Sequence, residues 1–474
     1  MTSLNISGLV SWEIPDRKLR ELRFMKKIRF FIVNANDWYN KGDVTNRLGL
    51  ILALQRVFKN RDIQIYLESL TPYRDKDYFG RFRNIKVIRS LFASETRKRA
   101  SIVIKHTAKG IILFFALFFL ALLFPLLRKI PENSEEYHNF LNNVRLNVAL
   151  LFSSDVIISS PGGFLHDDYP PILLINLLPL VLAILLRKPL VIYNQSIGPF
   201  KSNIWARFTK AVVRRASIIT VREEISLRFL RDNRVILATD ATFSIKSYIK
   251  KYLRSGAKKE RINKFLTKLS RLRVGHYIIG ITLVGYYVLH KGVHYFLKYI
   301  DFLGSCLSEL NRKGKSENLR FYYVVLPQNT NDYEILLIKL IVTILRKKYK
   351  LENILLIDKD LEPEELFAIL NEVNLLIASR MHSAIFASIL AKPIIMLAYQ
   401  PKFHGIAKML NLKDLVFDIF RLNRKSVQKF VDKVMWIIKH STQISEMLNQ
   451  KTDALEKRSL IPALMIKKLI QERE

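Results

Sequence analysis

Apolar residues along the chain fall into two alternating patterns. Short, nearly continuous runs of β-branched and aromatic residues cover 28–33, 156–159, 190–193, 218–221, 277–282, 321–326, 354–357, 375–378 and 394–397. Runs of that length and composition predict strands. Longer segments with helical spacing, such as 332–347 and 363–372, lie between most of them. Strands without polar alternation, interleaved with helices, belong to parallel sheets covered on both faces. The expected fold class is α/β with two doubly wound, Rossmann-like domains, at 25–245 and 275–440. A heavily basic stretch without strand signal, 246–274, reads as a connector. A helical tail at 441–474 is expected to turn back onto the first domain through 453–473.

Two longer apolar runs change the picture. The first, 111–127, is flanked by Lys105, Lys109, Arg128 and Lys129. Seventeen helical residues reach only about 25 Å, short of a hydrocarbon core of about 30 Å. A bilayer span there would also place 28–43 and all that follows residue 130 on opposite sides, although their motifs build one domain. Two readings stay open for this run: a helix buried against a sheet, or an interfacial helix whose basic flanks grip anionic headgroups. The second run, 172–186, is broken by Asn176 and Pro179 and reads as a core helix.

Composition narrows the function. An apolar share of 50% excludes a disordered chain. The 77 Lys+Arg against 41 Asp+Glu leave a net charge of +36, which attracts phosphate on nucleic acid, lipid or a small substrate. The charge is dispersed and no finger, helix-turn-helix or ribonucleoprotein signature accompanies it, so no specific nucleic-acid partner is expected. The one cysteine, Cys306, excludes an intrachain disulfide and a Cys-based zinc site and suits a reducing compartment. Polar and charged residues fill 1–20 where a signal peptide needs an unbroken apolar stretch, so no secretory signal is expected. These features predict a cytoplasmic protein, peripheral on the inner face of a membrane.

Ligands of doubly wound sheets bind beyond the carboxyl ends of strands, where helix N-termini offer free N–H groups. Asn40, Gly42 and Asp43 follow the first strand. After 156–159 come Gly162 and Gly163, which permit close backbone approach, then His166 and the carboxylates Asp167 and Asp168. Gln195, Ser196 and Gly198 follow 190–193, and Arg222 follows 218–221. In the second half, 375–378 ends in Arg380-Met381-His382 with a helix directly behind, and Lys402 follows the 394–397 strand. A guanidinium fork, an imidazole and helix N–H groups can meet one anion there.

This set resembles the polysaccharide pyruvyltransferase family from about residue 28 to 415. The carriers are Asn40–Asp43, the loop 160–167, Gln195–Phe200 (Gln-Ser-Ile-Gly-Pro-Phe), Val221–Ser226, Asp240–Phe243, Arg380–Pro393 and Tyr399–Lys402. Ser160, Pro161 and Asn194 stand where many members have glycine. The resemblance implies a fold similar to GT-B glycosyltransferases, with the active site between two facing domains. It implies transfer of a pyruvyl group from phosphoenolpyruvate, as donor substrate, to a sugar of a polysaccharide or lipid-linked glycan of the cell envelope, with no cofactor and no metal. It casts Arg222 and Arg380 as holders of the donor's phosphate and carboxylate and His382 as the acid, an imidazole with an ordinary pKa of about 6.5. Asn40, Gly42, Asp43, Gly162, Gly163, Asp167, Gln195, Ser196, Gly198 and Lys402 would line the substrate side. Two alternatives are a GT-B-type glycosyltransferase using a nucleotide sugar and a non-catalytic relative that holds glycan at a membrane. The sequence does not specify the acceptor sugar or the oligomeric state.

Overall fold

The structure is a computed structural model and describes residues 27–35, 38–90, 119, 140–255 and 260–474. The apolar run 111–127, apart from Phe119, therefore lies outside the described residues. The first sheet contains β1 (Ile28–Val33), β2 (Ile63–Ser69), β3 (Ile85–Arg89), β4 (Val156–Ser159), β5 (Leu190–Gln195), β6 (Ile218–Val221) and β7 (Ile236–Leu237). The second contains β8 (Tyr277–Thr282), β9 (Phe321–Val325), β10 (Ile354–Leu356), β11 (Leu375–Ala378), β12 (Ile394–Ala398) and β13 (Val416–Asp418). Their orders are β3-β2-β1-β4-β5-β6-β7 and β10-β9-β8-β11-β12-β13, and the strands are parallel throughout. Both are Rossmann-like orders, and each reverses direction at one point, between β1 and β4 and between β8 and β11.

Four strands escape the apolar pattern: β2, β3, β7 and β13. In β2 the reason is chemical. Gln64 and Glu68 break its apolar run, yet both are buried, because Gln64 donates to the Asn84 carbonyl and Glu68 accepts from Asn34 N and Ser90 Oγ. A satisfied buried polar group costs little.

The helix Lys41–Val57 joins the halves. Its first residue, Lys41, is buried and places its ammonium 2.6 Å from Asp360 of the second domain, over the Trp38 ring. Trp38 Nε1 and Thr330 Oγ1 also donate to Asp360, at 2.8 and 2.7 Å. Nearly two turns further on, Arg47 is paired with Asp75 in the interior. The last two helices, Ser441–Ser459 and Ile461–Gln471, pack against the Ala241–Ile245 turn, the Lys41–Val57 helix and strands β5 and β6. Lys246 anchors them, meeting Asp453 at 2.6 Å and Thr452 at 2.7 Å. The chain thus crosses back over its own first domain.

The segment 172–186 forms the expected helix against the sheet, Pro170–Leu185, which buries Leu173, Leu177 and Leu180; Ile172 and Leu174 in its first turn and Leu185 at its end are exposed. It covers the first sheet, with exposed apolar side chains at its two ends.

Removing one partner of a buried ion pair leaves the other charge uncompensated and costs about 3–5 kcal/mol. Asp360→Ala should therefore lower unfolding free energy by about that much, read from the urea midpoint. A midpoint within error of the wild type would show that Lys41 does not depend on this pair.

Candidate active site

The two sheets bring their reversal points together. The Asn40-Lys41-Gly42-Asp43 loop after β1 is stitched to the 328–330 segment of the second domain: Lys41 N donates to the Gln328 carbonyl and Thr330 N to the Tyr39 carbonyl, both at 3.0 Å. Asn40 caps the helix, accepting from Gly42 N, and its amide also donates to Asp43 Oδ2 at 2.8 Å. Gly42 explains the glycine at this place. A methyl group there would lie 2.1 Å from His382 Nδ1, so only a bare Cα lets the imidazole of the second domain rest on this turn.

His382 is 8% exposed and reaches across the domain boundary. Its Nε2 lies 3.2 Å from Asn46 Nδ2 and 3.5 Å from Asp240 Oδ2. Neutral, Nε2 can accept from the Asn46 amide; protonated, it faces a carboxylate. Both states have a partner, as a group that carries a proton requires. Asp240 is fully buried and shared: Arg222 Nη1 donates to the same oxygen at 2.8 Å. Burial would raise the Asp240 carboxyl, but the His382 imidazole, the Arg222 guanidinium and the Thr242 N–H hold it well below the usual carboxylate range.

Arg222, at the carboxyl end of β6, also donates from Nε to Ser196 Oγ at 2.7 Å. Its Nη2 is 3.0 Å from where a Gly163 side chain would begin. Gly163 is exposed and Arg222 is buried beneath it, so a side chain at 163 would press on the guanidinium. Gly162 gives its carbonyl to Ser196 N at 2.8 Å, tying the two loops together.

Arg380 goes elsewhere. It stands at the N-cap of the helix Met381–Ile389, whose first turn has no side-chain cap, and its guanidinium pairs with buried Glu334 and donates to the Leu283 carbonyl. Glu334 in turn accepts from Gly285 N and Tyr286 N, both at 2.9 Å, so this pair fixes the loop after β8. The two arginines therefore occupy separate ion pairs, and His382 shares its carboxylate, Asp240, with Arg222.

Other predicted residues serve as scaffold. Asp167 is 5% exposed, and its carboxylate is taken up by Lys201 N and Ser202 N, where it ties the chain just before the helix Asn203–Val213. Gln195 is fully buried and donates to Ser159 Oγ and the Ser160 carbonyl at 2.7 Å. Gly198 takes a positive φ of 78° before a cis Gly198–Pro199 bond. Lys402 opens the helix Lys402–Met409 at the rim, near enough for its charge to act on His166 across the cleft. Burial pushes the His166 imidazole below its ordinary pKa; Asp168 opposes this and Lys402 adds to it. Three contributors were not singled out as site residues from sequence: Asp240, Asn46 and Glu334. Asp240 opens the Asp-x-x-Phe block, Asn46 lies one turn beyond Gly42 on a buried helix face, and Glu334 sits three residues after the Asn331 cap. Among the described residues, no group of three or more His, Cys, Asp or Glu is placed to hold a metal ion.

The family model described as polysaccharide pyruvyl transferase matches residues 40–401. No curated protein matches the chain. Among solved structures, the fold is similar to a UDP-GlcNAc 2-epimerase from Neisseria meningitidis bound to UDP-GlcNAc (TM-score 0.55, 13% identity, 94% of this chain and 100% of that one). It is also similar to a glycosyltransferase from Rickettsia africae (TM-score 0.55, 11% identity, 95% and 100%) and to the N-terminal domain of trehalose-6-phosphate phosphatase from Candida albicans (TM-score 0.51, 14% identity, 94% and 96%). At these identities the likeness establishes the fold: two Rossmann-like domains of the GT-B type.

Two measurements follow. Overpacking a filled interface costs about 1–3 kcal/mol. Gly42→Ala should show that loss, and adding His382→Ala should restore most of it, because the clash is with the imidazole. An equal loss in both backgrounds would place the clash elsewhere. Asp240, held below the ordinary carboxylate range by its cations, contributes stability that is present above the ordinary carboxyl pKa and lost as pH falls through its lower folded value. Asp240→Asn should flatten this acid limb of the stability curve; an unchanged limb would assign it to other carboxylates.

Proposed function

The chain belongs to the polysaccharide pyruvyl transferase family, and we propose that it transfers the pyruvyl group of phosphoenolpyruvate to two hydroxyls of one sugar, in a polysaccharide or a lipid-linked glycan. The observation that carries this reading is the Arg222–Asp240–His382 cluster, where an imidazole and a guanidinium from different domains meet on one carboxylate beside an uncapped helix N-terminus. That set suits a small anion that must be protonated.

In this reading the donor's phosphate and carboxylate lie against Arg222 Nη2 over Gly163 and against the first turn of Met381–Ile389. The main-chain N–H groups and the positive end of that helix favour negative charge there. Arg380 keeps its charge at the same turn and, through Glu334, holds the 283–286 loop that walls the donor in. His382 gives its proton to the methylene carbon, and C2 becomes electrophilic and takes the first hydroxyl oxygen. The second hydroxyl displaces phosphate and closes the ketal. One hydroxyl proton restores the imidazole and the other leaves with phosphate, so the proton balance closes. Asp240 steadies the imidazolium while the donor approaches. General acid catalysis of this kind contributes about 10²–10⁴-fold.

The direct test is incubation with phosphoenolpyruvate and a panel of glycan lipids, reading phosphate release and a pyruvylated product. Turnover of a nucleotide sugar, with none of phosphoenolpyruvate, would replace this reading with a glycosyltransferase. His382→Gln should lower turnover by about 10²–10⁴-fold with donor affinity nearly intact, whereas Arg222→Lys should chiefly weaken donor binding, because a single ammonium cannot make the guanidinium's paired bonds. Equal effects on both parameters from both variants would contradict the division of labour.

A further inference from the structure

We propose that the outer face of the helices Pro170–Leu185 and Asn203–Val213, with the basic recess beside them, docks on an anionic lipid bilayer. The inference does not depend on the transfer reaction. A helix lying on a sheet ordinarily presents a polar face to water. Pro170–Leu185 has no charged residue, and its single polar side chain, Asn176, is turned inward to the Phe164 carbonyl. Ile172, Leu174 and Leu185 are left on the surface, Leu185 at 67% exposure. The neighbouring helix adds Ile204, 76% exposed, and Phe208.

Charge decides what covers this face. Beside it is a recess of about 390 Å³ in which Arg207, Lys210, Arg228 and Arg231 surround Phe229, and none of its lining residues is acidic. Burial chiefly holds the Lys210 ammonium below its usual pKa, with Arg214 and Arg231 adding to it. An apolar patch rimmed by cations matches the boundary of an anionic bilayer, with acyl chains for the isoleucines and leucines and headgroup phosphates for the recess. A second copy of the same face would bring like charges together, so self-association is disfavoured. The face also adjoins the cleft: Pro170–Leu185 leaves the loop after β4 and Asn203–Val213 follows the Gln195–Phe200 segment after β5.

The test is flotation of the full chain with vesicles of phosphatidylcholine alone or with added phosphatidylglycerol, at low and high salt. The wild type should float with phosphatidylglycerol vesicles, and salt should release it, because screening weakens headgroup attraction. Arg207→Glu/Arg231→Glu should reduce that binding at least tenfold, as should Leu174→Asp/Ile204→Asp, with unfolding midpoints close to the wild type for the arginine pair. None of these residues belongs to the catalytic cluster. Undiminished flotation of the arginine pair would overturn the proposal, since the apolar run 111–127 would then carry the membrane contact. Equal binding to uncharged vesicles would overturn it as well. So would a wild type that stays unbound yet dimerises through this face, which would make it a contact between copies.

Discussion

One buried carboxylate organises the molecule. Asp240 accepts Arg222 from the first domain and faces His382 from the second, so a single oxygen links two Rossmann-like halves at the point where both sheets reverse. A buried carboxylate shared in this way is stable only while its cations stay in place. The surrounding design keeps them there. Gly42 clears the space the imidazole needs, Ser196 orients the guanidinium, and Thr242 N–H fixes the second carboxylate oxygen. The interdomain contacts of Lys41, Trp38 and Thr330 with Asp360 hold the 38–43 loop at the same boundary.

The same arrangement separates two tasks that one arginine pair could have shared. Arg222 is held by Asp240 and Ser196 beneath Gly163, whereas Arg380 is bound to Glu334 and through it to the backbone of Gly285 and Tyr286. One guanidinium sits in the interdomain cluster with His382, and the other fixes the loop after β8. An Arg-x-His spacing cannot distinguish these roles, because the partner that decides between them, Glu334, lies 46 residues away.

Much of this was legible in the chain. Continuous apolar runs marked the central strands of both sheets, because strands buried on both faces have no polar alternation to lose. Strands such as β2 were hidden by Gln64 and Glu68, whose burial depends on partners distant in sequence. The strand-end loops were found as loops, but their chemistry was only partly readable. Asp167 looked like a ligand group and is consumed by two backbone N–H groups. Asp240 stood out only as the first residue of the Asp-x-x-Phe block and proves to be the hub. Short polar residues near strand ends serve equally as caps or as site groups, and only the tertiary partner tells them apart.

The central claim is that the imidazole held between Gly42 and Asp240 supplies the proton for pyruvyl transfer. The most direct measurement is the turnover of phosphoenolpyruvate by His382→Gly with and without added imidazole, which can enter the space the side chain vacates. The account predicts a nearly inactive variant whose turnover rises with imidazole concentration and saturates. Turnover at the wild-type rate without imidazole would contradict it.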